Sequence, residues 1–82
     1  MYVNDISQYR FLKEFGENLK AELEDSRETL EELSEDSGVS IASLSNYVNG
    51  NQIPSLKAFI NIMFALDLEP EDLVDFNRRV AK

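Results

Sequence analysis

Catalytic chemistry is hard to find in this chain. It has no histidine and no cysteine, so the commonest general base, the commonest metal ligand and any thiolate are missing. No glycine-rich loop is spaced to cradle a phosphate, and no nucleophile has a base beside it. Two acidic pairs, Glu31-Glu32 and Glu71-Asp72, are left. Adjacent positions on a helix point to different sides, so neither pair converges on a cation or a shared proton. A solvated helix face accounts for both. The chain offers uncharged hydrogen-bonding groups instead: Ser45, Asn46, Asn49, Asn51 and Gln52 fall within one short stretch. The expectation is recognition, with no enzymatic activity, no cofactor and no metal.

Those groups sit on elements that the local sequence defines. Residues 29–54 read as two short helices joined by a tight glycine turn. Thr29 has Glu32 three residues later, the spacing of a capping box. Leu30 and Leu33 follow on one face of the helix so started. Gly38 can take positive φ and end that helix sharply. Val39 gives the turn an apolar anchor, and Ser40 is a good N-cap for the second helix. Leu44, with Tyr47 or Val48, gives the second helix an inward face. Asn49-Gly50 ends it, and Pro54-Ser55 opens the next element.

The placing of Leu33, small Ser34, Gly38, Val39 and Leu44, with Gly50 and Pro54-Ser55 beyond, resembles the helix-turn-helix of the phage Cro/cI-repressor-like (Xre-like) DNA-binding domains. Phe15-Gly16 and Leu19 look like that family's first helix, and Leu66-Asp67-Leu68 resembles its exit from the fourth. The resemblance covers about residues 15–74. It implies an all-α fold, a compact lambda-repressor-like bundle of about five helices with the helix-turn-helix at about 29–50. It also implies a partner, double-stranded operator DNA, read by the helix at about 40–49. Carried over by position, the base-reading candidates are Ile41, Ala42, Ser45, Asn46 and Asn49. Ile41 and Ala42 offer only apolar contact, suited to a thymine methyl, and Ile41 also fits a partly buried contact at the helix start. The phosphate candidates are Thr29, Ser40, Asn51, Gln52, Ser55 and Lys57, beside backbone N–H groups at helix starts. The chain departs from the family where Leu30 replaces a glutamine, Glu28 an apolar residue, and Ile41 and Ala42 polar ones.

The remaining elements follow from periodicity. Ser7 can cap a first helix over about 8–25, after a loose lead-in at 1–6. Phe11, Leu12, Phe15, Leu19 and Leu23 define its buried face, with Phe11 and Phe15 serving the core or a dimer contact. Lys13, Glu17, Lys20 and Glu24 lie opposite. The next long helix, from Ser55, is apolar nearly all round, as a central buried helix is. One core is expected to join Leu19, Leu33, Val39, Leu44, Phe59, Met63 and Leu66. Pro70 suits the first position of a last helix over about 70–81. Leu73, Phe76 and Val80 there exceed the needs of one packing face and are the dimerisation candidates. Arg78, Arg79 and Lys82 suit that helix's C-terminal dipole.

With 82 residues there is room for one domain, 1–82. The first residues, MYVNDISQYR, lack a signal-peptide core, and no apolar run reaches a membrane span. A soluble cytoplasmic protein is the expectation. Eight basic residues stand against sixteen acidic ones, a net charge of −8. Lys and Arg supply most non-specific DNA affinity, and the helix at 41–49 has neither. A homodimer reading two half-sites is therefore expected, as a phage- or mobile-element-like repressor would. The acidity favours an alternative: a non-enzymatic protein-interaction module on the same fold, antitoxin-like or antirepressor-like, with a protein partner.

Overall fold

The computed structural model describes the backbone of residues 3–75 and the side chains of residues 9–75. Within them the chain forms five helices and no strand: α1 (Val3–Ser26), α2 (Leu30–Ser37), α3 (Ile41–Val48), α4 (Leu56–Leu66) and α5 (Pro70–Leu73). α1 packs on α3 and α5, and α2 packs on α3 and α4. Phe15, Leu19, Leu33, Leu44, Ile62 and Leu73 are fully buried where these helices meet. The ring of Phe15 meets those of buried Tyr47 and partly buried Phe59, with Phe15 to Phe59 centroids 5.5 Å apart and Phe15 to Tyr47 5.8 Å apart. Phe11 lies half-buried beside Phe15, 5.9 Å between centroids. Among the described residues, no helix is long and apolar enough to cross a membrane.

Local chemistry sets the boundaries around the helix-turn-helix. The Thr29 Oγ1 accepts from the Glu32 N–H at 3.1 Å, and the Glu32 carboxylate accepts from the Thr29 N–H at 3.0 Å, so the capping box is closed both ways. Gly38 takes φ 77° and donates its N–H to the Ser34 carbonyl at 2.8 Å, the left-handed helix stop that costs glycine least. Ser40 caps α3 through the Ser43 N–H, and Ser55 caps α4 through the Ala58 N–H.

Four expectations are corrected. The first helix already includes Val3, so residues 3–6 are helical and Ser7 lies within α1; neither Gly nor Pro interrupts the sequence there. α4 is not buried all round: Leu56 and Phe64 are 74% and 75% exposed, because among the described residues only one face of the helix has neighbours. Ile62 is the fully buried α4 residue, while Phe59, Met63 and Leu66 pack at the edge of the core. The last helix does not run over 70–81, because α5 stops at Leu73 and Val74 is extended. Two α1 side chains hold the chain there. Asn18 Nδ2 donates to the Leu73 carbonyl at 2.8 Å, and the Glu14 carboxylate accepts from the Asp75 N–H at 2.8 Å. The Leu73 carbonyl would otherwise accept from a following helical turn. Leu73 itself is fully buried in its own chain's core, so it is not available as a dimerisation surface. Phe76, Val80, Arg78, Arg79 and Lys82 lie outside the described residues.

Candidate nucleic-acid interface

α3 is two-faced because its apolar residues recur at helical spacing. Leu44 and Tyr47 are buried and Val48 is partly so. Beneath them, α1 comes unusually close at Gly16. A Cβ there would drive into the Tyr47 carbonyl oxygen and lie 3.2 Å from that of Val48. Only glycine lets the two backbones meet this way, and their contact fixes the direction in which α3 points. The same spacing turns Ile41, Ala42, Ser45, Asn46 and Asn49 to the other side. Ile41, Ala42 and Asn49 are exposed, and Ser45 and Asn46 are half-exposed. Ile41 keeps 44% of its surface in solvent, so it lies at the rim of this face and outside the core.

The amide groups on the face are held. Asn46 Nδ2 donates to Gln52 Oε1 at 3.0 Å across the turn that leaves α3. The Asn51 N–H donates to the Asn46 carbonyl at 2.8 Å and ties that turn to the helix end. Gly50, at φ 72°, makes the reversal. The contact with Gln52 uses one hydrogen of the Asn46 amide. It leaves the Oδ1 acceptor and the other N–H donor, the pair that matches the adenine edge. Sequence reasoning placed Gln52 among the phosphate candidates and missed this contact; six residues of separation across a turn leave no periodic signal.

The phosphate candidates divide by what else they do. Thr29, Ser40 and Ser55 use their hydroxyl oxygens as cap acceptors. Each keeps an O–H to donate outward. Asn51, Gln52 and Lys57 are exposed. Charge is segregated around them. All sixteen acidic residues lie before Ser37 or after Leu66, and the segment between holds one ion, Lys57. The net charge of −8 therefore misrepresents this surface, and the position of each acid in the sequence could have revealed it. The acids gather elsewhere, as in the depression lined by Glu28, Glu32, Glu35 and Asp36. There the Glu28 carboxyl is raised above 4.5 by partial desolvation, then by the charge of Asp36 and a hydrogen bond with it, then by Glu32.

The Cro/C1-type HTH DNA-binding domain model matches residues 18–78, most of the chain. The chain belongs to that family. Within solved structures, the domain is similar to the restriction-modification controller protein C.AhdI from Aeromonas hydrophila, at 28% identity and a TM-score of 0.74. The match covers 79% of this chain and 98% of that one. No curated protein matches the chain. The family supplies the general function, DNA binding in transcription regulation, and the resemblance read from Gly38, Val39, Leu44 and Pro54-Ser55 agrees with it.

Proposed function

We propose that this domain is a sequence-specific transcription regulator that lays α3 in the major groove of operator DNA and works as a homodimer. The observation that carries the reading is the outer face of α3, uncharged and rich in hydrogen-bonding groups, on an acid-free segment. Asn46 and Ser45 are the base readers, Ile41 and Ala42 supply apolar contact to thymine methyls, and Asn49 flanks them. Phosphates are held by Lys57, by the hydroxyls of Thr29, Ser40 and Ser55, by Asn51, and by N–H groups at the starts of α2 and α4. One cation per protomer makes a single half-site weak, so two protomers act together. Occupying an operator in this way represses by exclusion. Likeness to a restriction-modification controller protein supports a regulatory role of this kind.

Selection from random duplex DNA at low salt tests the reading. The expected result is enrichment of a two-fold site whose halves lie about 10 base pairs apart or a multiple of that. Absence of any enriched sequence would instead favour the protein-interaction module, which the acidity elsewhere on the chain suits.

A further inference from the structure

Asn46 is held both by its backbone and by its side chain. Its carbonyl accepts from the Asn51 N–H at 2.8 Å, and its Nδ2 donates to Gln52 Oε1 at 3.0 Å. The segment that carries Gln52 is itself fixed at each end. Before it, Gly50 reverses the chain at φ 72° and donates its N–H to the Tyr47 carbonyl at 3.0 Å. α1 backs that reversal, since a Cβ on Gly16 would lie 3.3 Å from the Gly50 nitrogen. After it, Pro54 is buried with a ring-locked φ, and Ser55 caps α4. Gln52 therefore reaches Asn46 from a short, pinned bridge. The contact joins two side-chain amides, each with an oxygen that only accepts and a nitrogen that only donates. A bond between them sets which way each one faces.

We propose that Gln52 is the positioning residue for base reading by Asn46. By accepting from Nδ2 it sets the orientation of the Asn46 amide, and so the base pair that α3 prefers at that place. The proposal rests on the α3 reading above and names what decides its specificity. Without a partner, an asparagine amide on a helix surface can turn either its oxygen or its N–H groups to the same base edge. The choice matters. Adenine shows the major groove an acceptor and a donor, whereas guanine shows acceptors alone. With Nδ2 turned to Gln52, the Asn46 Oδ1 is kept for the donor of adenine. The brace makes this choice before DNA arrives, so less ordering is left to be done on binding.

The test repeats the selection from random duplex DNA with the wild type, Asn46→Ala and three changes at Gln52. The place in the site where Asn46→Ala loses its preference marks the base pair that Asn46 reads. Gln52→Ala is expected to lower the preference there by about fivefold, the effect of freeing one side chain, and to leave the rest of the site as it was. Gln52→Glu keeps an acceptor. It is expected to retain the wild-type base there, while its negative charge weakens binding to every duplex. Gln52→Lys offers only donors. It is expected to turn the Asn46 amide round and shift the preference towards guanine, although its charge tightens binding to all DNA. NMR of the side-chain amides in the free protein reads the brace without DNA. The Asn46 Nδ2 hydrogens are expected to exchange with water more slowly in the wild type and Gln52→Glu than in Gln52→Ala. Equal exchange in all three overturns the proposal and leaves the α3 reading intact. So does a Gln52→Ala chain that keeps the wild-type preference, or that weakens on every sequence alike. A wild type that enriches no sequence, or an Asn46→Ala chain that loses no preference, removes base reading by Asn46 and the role of the brace with it.

Discussion

At Glu28, a carboxylate occupies a position where the family has an apolar residue, and its environment resists ionisation. Partial burial raises its pKa first, with Asp36 and Glu32 adding to the shift. A raised folded value means that stability from this group is fully present below its ordinary value of 4.5 and is lost as pH rises through the raised one. At pH 7 the ionised Glu28 therefore opposes folding. Glu28→Gln is expected to raise the melting temperature at neutral pH, with the gain vanishing in melts below about pH 4. Lys57 matters for binding. As the lone ion from Ser37 to Leu66, it acts through phosphate without reading sequence. Lys57→Ala should weaken binding to every duplex alike and make the salt dependence shallower by about one unit of slope in a titration series. A loss confined to one sequence would contradict that role.

Among the elements, those fixed by near neighbours were legible in the sequence. The capping box at Thr29 and Glu32, the Gly38 stop and the Ser40 and Ser55 caps each depend on groups three or four residues apart. The end of α5 was not legible, because Asn18 and Glu14 hold it from 55 and 61 residues away. The sidedness of α4 was not legible either. Its composition is apolar on every side, and only the packing decides which side α2 covers. Gly16 could be noticed as part of a resemblance, but its cause is the Tyr47 carbonyl on another helix. Gly16→Ala gains helix propensity of about 1 kcal/mol, yet the obstacle is backbone and cannot swing aside. The net expectation is a loss of about 2 kcal/mol in urea unfolding, within the range for overpacked sites. Asp67 ends α4 at φ 58°, a left-handed position that glycine takes at least cost. Asp67→Gly removes both the left-handed cost and an acid at a helix C-terminus, and should stabilise by about 1 kcal/mol in the same assay.

For the whole molecule, the uneven placement of charge joins stability, association and function. Acids crowd α1, α2 and the segment beyond α4, while α3 and α4 carry none. The α3 face itself brings no acid to a polyanion, whereas the start of α2 brings Glu31 and Glu32. Non-specific affinity stays low with one cation on the interface, so base contacts must supply most of the discrimination. The most direct test compares Asn46→Ala with the wild type on the selected site and on unrelated duplex, by competition anisotropy at low salt. Loss of about 1–3 kcal/mol on the selected site and little on unrelated DNA is the predicted result. Equal losses on both would contradict base reading by α3.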